Sequence, residues 1–377
     1  MKVFEGKNGN EIYPKTLKYI KKYGNFVCPR NKKTIEIYPA VTIIKNPKER
    51  VLTTYGRGGN IFFLVAEALW ILAGRGDSDF ITFYCKELNN FKDEGYLNFH
   101  GAYGSRLRNY GFFKNGNILN SSKINKATKE DGTVDQLEQV YEKFSKDKET
   151  RQAVVCFWNP YFDNAYKTAD IPCNNLSYYK IRDGKLHLHQ ILRSNDVNLG
   201  LYPTNLFQFS MQQEALAGWL GIEVGEILFF SDSLHFYIES KITDNVLKQK
   251  RIFDIYKYYK TGDFSVSKSK FNIYIKKIFE LEKEMKNNKK SMAYYEFINN
   301  KYWNDLYLLL VTYNYLKLER NFLDYFKRIE NQDLKVAGYE FLFRYLKKQG
   351  KEMEELKEQI LKEKYPKEIW RYIEGEY

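Results

Sequence analysis

Residues 61–73, IFFLVAEALWILA, constrain this chain more than any other segment. Twelve of the thirteen positions are apolar, yet the run falls short of the roughly 18 residues that cross a bilayer. Gly74 follows as a stop signal, so the run is predicted to be a helix buried in a globular core. The exception inside it is Glu67. A carboxylate in such a setting is costly unless it is hydrogen-bonded or put to use. Either it is tied to a structural partner, or burial raises its pKa and makes it a proton relay.

The rest of the chain supplies the material to bury that helix. Its 377 residues are 44% hydrophobic, with 32 Tyr and 27 Phe, enough for one large domain with an appendage or for two domains. Strand-like runs occur in TIEIYPAVTII (34–44), QAVVCFW (152–158), KLHLHQILR (185–193), 222–230 and 234–239. Arg182-Asp183-Gly184 is a hairpin turn signal, and 205–220 reads as a long helix. From about 243 the pattern becomes helical throughout. In FNIYIKKIFELEKEM, Phe271, Tyr274, Ile278, Leu281 and Met285 recur at helical spacing, and 293–318, 320–348 and 351–363 continue likewise. The predicted architecture is a mixed α/β (α+β) catalytic domain over 1–260, a central sheet packed by helices, followed by an α-helical region of unknown role over 261–377.

Net charge is +13, which favours anionic partners. Residues 241–377 hold 29 Lys and Arg against 21 Asp and Glu. The aromatic and Lys interleaving in YKYYK (256–260) would suit base stacking. The aromatics of this region fall at helical core spacing, however, so packing is the preferred reading and nucleic acid is not an expected partner. Cys28, Cys85, Cys156 and Cys173 show no zinc-ligand spacing, so no metal is expected. The N-terminus lacks an apolar signal core, and a cytoplasmic protein with no membrane association is expected.

Three further clusters carry chemistry when read together. They are Asp170-Ile171-Pro172-Cys173-Asn174; Arg193-Ser194-Asn195-Asp196-Val197-Asn198-Leu199-Gly200, with Asn205 beyond; and Ser233-Leu234-His235-Phe236-Tyr237. Each alone has a structural explanation. With Glu67 in AEALWILAG, Tyr103 in GAYGSRL and Arg151 in RQAVV, their order and spacing resemble the thymidylate synthase and pyrimidine hydroxymethylase family over about residues 25–240.

The resemblance implies folate-dependent one-carbon transfer to C5 of a pyrimidine deoxynucleotide, with 5,10-methylenetetrahydrofolate as co-substrate. Uracil C5 is too weak a nucleophile until a thiolate adds at C6, and Cys is the side chain able to add and leave again. The resemblance assigns that role to Cys173. It makes Glu67 and Tyr103 parts of a proton-relaying water network, and places Arg193 beside both sulfur and phosphate, where a guanidinium favours thiolate. Ser194 would add a phosphate donor. Arg151 would reach the phosphate of a neighbouring subunit, implying a homodimer. Arg30, in CPRNKK, is a further phosphate ligand or a solvated loop arginine. Asp196, with Leu199 and Gly200, would meet the folate. Asn205 would read the base, donating to O4 and accepting from N3–H of uracil, and His235 and Tyr237 would hold the sugar 3′-hydroxyl.

Departures from the family pattern bear on the product. Asn174 stands where many synthases have His, Leu192 where many have Gln, and Gln152 where a second arginine is usual. Tyr202 reads as an insertion between Gly200 and Asn205. FITFYCKELNNF (80–91) lacks the tryptophans that shield the reactive intermediate, and IWRYIEGEY lacks a short apolar closing tail. Both losses would admit water, which converts the same intermediate to a hydroxymethyl group. Deoxyuridylate hydroxymethylase is therefore the preferred expectation, thymidylate synthase the alternative, and deoxycytidylate hydroxymethylase the third, disfavoured by Asn205.

Overall fold

The computed structural model describes the chain except for residues 112, 115–116, 119–128, 130–132, 166, 288–299 and 376–377. The start of the helical stretch expected at 293–318 and the last two residues of IWRYIEGEY lie outside the described residues.

The chain opens with β1 (Lys2–Gly6) and α1 (Gly9–Tyr23). The Asn8 side chain caps α1 by accepting from Glu11 N at 3.1 Å. This helix was not expected: Pro14 sits inside it and masks its periodicity. β2 (Asn25–Val27), β3 (Thr34–Ile37) and β4 (Ala40–Ile44) follow. The single run TIEIYPAVTII thus breaks at Tyr38-Pro39, where the ring removes a ladder donor. Its halves join different sheets.

The expected buried helix is α2 (Ile61–Leu72), capped by Asn60 and ended at Gly74, whose φ is +75°. Next come α3 (Ser78–Tyr84), α4 (Tyr103–Arg108), the short strands β5 (Phe113–Lys114) and β6 (Asn117–Ile118), α5 (Gln136–Lys146), β7 (Val154–Cys156) and α6 (Pro160–Asp163). The hairpin β8 (Asn174–Arg182) and β9 (Lys185–Leu192) turns through Asp183 and Gly184, both at positive φ as a two-residue primed turn requires. β10 (Asn195–Asp196) leads into nine residues of π-helix, Val197–Asn205, and then α7 (Leu206–Leu220). The residue read as inserted, Tyr202, lies inside that π-helix. Its ring is fully buried against Tyr13, and its hydroxyl lies 2.6 Å from Thr16 Oγ1. A wider helical turn absorbs an extra residue and keeps Asn205 at the entrance to α7.

β11 (Glu223–Ser231) and β12 (Leu234–Tyr237) complete the strands. The main sheet is mixed, in the order β1-β4-β11-β9-β8-β7, and a smaller one runs β10-β12-β3-β2. Along β8, β9 and β11 burial alternates. One face is sealed, while Tyr178, His189, Ile191, Leu228 and Phe230 stay half-exposed on the other.

The C-terminal region is helical as expected: α8 (Lys241–Leu247), α9 (Lys268–Asn287), α10 (Lys301–Lys317), α11 (Leu323–Phe326), α12 (Gln332–Gln349), α13 (Glu354–Lys362) and α14 (Lys367–Glu374). It shares the core of the sheet region. Phe62 of α2 meets Tyr313, Phe326 and Phe341 at ring separations of 5.5, 6.4 and 5.2 Å. Buried Arg50 pairs with buried Glu214, which also accepts from Phe264 N at 3.0 Å. From YKYYK, Tyr256 is buried and its hydroxyl bonds Val51 N and Asp333 Oδ2, so this ring serves packing.

Candidate active site

The three sequence clusters converge beyond the C-terminal ends of β9 and β11, where β8 begins. Cys173 immediately precedes β8, and its carbonyl accepts from Arg193 N at 3.0 Å just beyond β9. Arg193 Nε and Nη2 donate to the carbonyls of Pro172 and Ile171, each at 2.8 Å. The arginine therefore clamps the loop that carries the thiol. Tyr103, at the start of α4, secures the same loop from the other side. Its phenol oxygen accepts from Cys173 N at 3.1 Å and Asn174 N at 3.2 Å. Upstream, Asp170 Oδ2 accepts from Gly101 N at 2.7 Å.

Burial pushes the Cys173 thiol above its ordinary value, and Arg193, then Arg30, pull it the other way without prevailing. The arginines thus act in the direction expected from sequence, but desolvation outweighs them in the folded chain. Arg30 is exposed on a short turn with φ 52°, a left-handed conformation that only surrounding structure sustains. Its charge reaches Cys173, His235 and Tyr237 together. Ser194 is half-buried next to Arg193.

Asp196 and His235 are register partners between β10 and β12. Burial raises the carboxyl and lowers the imidazole, and each charge opposes the shift of the other. Asp196 Oδ1 caps the π-helix by accepting from Asn198 N at 2.7 Å and Leu199 N at 3.3 Å. Leu199 is 57% exposed, an apolar surface adjoining the carboxylate. Gly200 lies where an added Cβ would come within 3.0 Å of Asn195 Oδ1. His235 Nδ1 lies 3.3 Å from Ser233 Oγ, and its ring meets Tyr237 edge-on at 5.4 Å. Burial raises the Tyr237 hydroxyl, with Asp196 adding to the shift.

Glu67 projects from α2 with its Oε2 enclosed and without a hydrogen-bond partner. Burial pushes it up to about 8, opposed by a hydrogen bond from Gln208 of α7. Among the described residues, no hydrogen bond joins Glu67 to Tyr103. Tyr103 is held at the Cys173 loop. Arg151 stands apart from the cluster, exposed between α5 and β7. Asn205 is buried, and its amide bonds Asn174 and Asn195.

Two features escaped sequence reading. Arg57, in the segment GRGG at 56–59, donates through Nη2 to Asn198 O at 3.1 Å and braces the Asp196 turn from inside. Burial lowers this guanidinium, and its Nε has no partner. Asn198 itself accepts from Tyr13 and donates to Thr243, at 2.7 and 2.8 Å. Neither contact has a local sequence signal.

The model of the family described as thymidylate synthase matches residues 12–341. The chain belongs to the thymidylate synthase family. The match extends beyond the 25–240 span carried by the motifs, and takes in α9, α10 and the start of α12. The chain is 42% identical over 252 residues to the deoxyuridylate hydroxymethyltransferase of Bacillus phage SP01, covering 66% of this chain and 63% of that protein. It is 30% identical over 241 residues to the protein of the same name from Pseudomonas phage M6, covering 63% and 62%. A putative thymidylate synthase of Methanosarcina acetivorans is 34% identical over 166 residues, 44% of this chain and 65% of that protein. The chain spans just under two thirds of the length of these curated relatives.

Proposed function

We propose that this thymidylate synthase family member is a deoxyuridylate hydroxymethylase. It would convert dUMP, methylenetetrahydrofolate and water to 5-hydroxymethyl-dUMP and tetrahydrofolate. The observation that carries the reading is the Cys173 loop, held between Tyr103 and the Arg193 guanidinium. The names of the phage relatives support the hydroxymethyl outcome.

In this reading Arg193, Arg30 and Ser194 bind the phosphate and bring C6 of the pyrimidine to the sulfur. Addition of the Cys173 thiolate to C6 makes C5 nucleophilic. The folate supplies the one-carbon unit at the oxidation level of formaldehyde. Its site has fitting groups: a half-buried carboxylate, Asp196, to accept from ring N–H donors, and the exposed side chain of Leu199 to cover an apolar face. Glu67, poised near neutral pH, moves a proton to or from the reacting group and deprotonates the water that completes the hydroxymethyl group. Expulsion of the thiolate from C6 ends the cycle. Asn205 reads uracil, and His235 with Tyr237 hold the 3′-hydroxyl. The 80–91 segment has no tryptophan, and its Phe80, Ile81 and Tyr84 are committed to the core. Water access follows from the lost shield.

Catalysis is assigned to 1–260, and 261–377 acts as a helical buttress. The half-exposed sheet face suits a second copy of the chain, and exposed Arg151 would then serve the neighbouring site. Product analysis tests the reaction: 5-hydroxymethyl-dUMP carrying oxygen-18 from labelled water, with no dihydrofolate absorbance, is expected. Dihydrofolate formed in step with product would make the enzyme a synthase.

A further inference from the structure

Six buried side chains, Asn205 among them, form a line of hydrogen bonds that run in one direction. Ser177 of β8 donates to Gln190 Oε1, its register partner on β9. Gln190 Nε2 donates to Asn174 Oδ1 at 3.1 Å, and Asn174 Nδ2 to Asn205 Oδ1 at 3.4 Å. Asn205 Nδ2 donates to Asn195 Oδ1 at 3.1 Å, and Asn195 Nδ2 to Ser231 Oγ at 3.0 Å. All six residues are at most 7% exposed.

The direction of such a chain matters because the two ends of an amide have nearly the same shape and opposite hydrogen-bonding character. Uracil offers a donor at N3 and an acceptor at position 4; cytosine offers the reverse. A single asparagine could therefore read either base, depending on which way its amide is turned. Turning Asn205 alone would set oxygen against oxygen at Asn195, and N–H against N–H at Asn174. Turning it without loss requires Gln190, Asn174 and Asn195 to turn as well.

The chain is biased at its far end. Tyr179 lies beside Ser177 on the buried face of β8, and Gln212 Nε2 donates to its hydroxyl. The Tyr179 hydroxyl then has its own proton to donate towards Ser177, whose hydroxyl donates to Gln190. In this direction the atom left without a partner is the buried Gln212 carbonyl. Reversal would instead strand a buried NH2 group, the rarer and costlier orphan.

We propose that this hydrogen-bond chain, running from Gln212 and Tyr179 through Gln190 and Asn174, locks the amide of Asn205 in the orientation that accepts uracil and rejects cytosine. Tyr179, Gln190 and Asn174 are positioning residues that act on base choice through Asn205. The inference rests on the reading of Asn205 as the base-contacting residue.

Equilibrium titration of dUMP and dCMP against the full chain, Tyr179→Phe and Gln190→Leu tests it without requiring turnover. Tyr179→Phe keeps the ring and removes only the hydroxyl that transmits the bias. The wild type should prefer dUMP. In both variants the preference should fall by about tenfold or more, with dCMP binding tighter than to the wild type. A purely structural defect would weaken both nucleotides together. An unchanged dUMP:dCMP ratio in either variant that still melts cooperatively overturns the proposal, as does a wild type that binds both equally. A wild type that selects dUMP yet forms no hydroxymethyl product overturns the proposed reaction and leaves the chain standing.

Discussion

Replacing Glu67 with Gln isolates the one ionisable group on α2. The carboxyl has an ordinary value of 4.5 and is pushed up to about 8, chiefly by burial. The folded chain therefore holds a proton on Glu67 that the unfolded chain releases between these two values. Stability from this group is fully present below about 4.5, declines as pH rises through the window, and is flat above about 8. The shift corresponds to at most about 5 kcal/mol, or about 1.4 kcal/mol per pH unit within the window. Urea unfolding of wild type and Glu67→Gln from pH 5 to 9 measures it. The variant should gain on the wild type steadily up to about pH 8 and then run parallel. Its turnover should drop by roughly 10²–10⁴-fold, since the amide keeps the shape and cannot move a proton. Parallel stability curves across the whole range would show that Glu67 ionises like a solvated carboxylate, and the argument from its enclosed Oε2 would fail.

Arg151→Ala and Cys173→Ala chains, each inactive, should regain roughly a quarter of wild-type activity on mixing, because half the random dimers carry one intact site. Absence of recovery despite proven subunit exchange would place Arg151 outside the partner's site. Asn205→Asp should shift preference from dUMP towards dCMP, since a carboxylate accepts from the 4-amino group; an unshifted ratio of kcat/KM values counts against Asn205 as the base reader.

Much of the fold was legible because its signals are local. The run around Glu67, the Asp183-Gly184 turn and the periodicity from Phe271 to Met285 each report their own backbone. α1 was not legible, because Pro14 looks like a break yet is tolerated within the helix. The division of TIEIYPAVTII between two sheets depends on partners distant in sequence. At the site, residue types pointed to Cys173, Arg193, Asp196 and His235, and the fold brings these together. At the thiol, sequence names the arginines beside Cys173 but not the burial that opposes them. Tyr103 was read as completing the water network of Glu67, and its hold on the Cys173 loop had no signal in the sequence. Arg57 and the amide chain through Gln190 were invisible, since they arise where separate elements meet.

The central claim is that Cys173 is the covalent nucleophile. Incubation with 5-fluoro-dUMP and methylenetetrahydrofolate tests it most directly, because fluorine at C5 cannot leave as a proton would. Intact-protein and peptide mass spectrometry should find the nucleotide and folate together on the peptide containing Cys173, and no adduct with Cys173→Ala. An adduct on Cys156, or none on the wild type, would contradict the account.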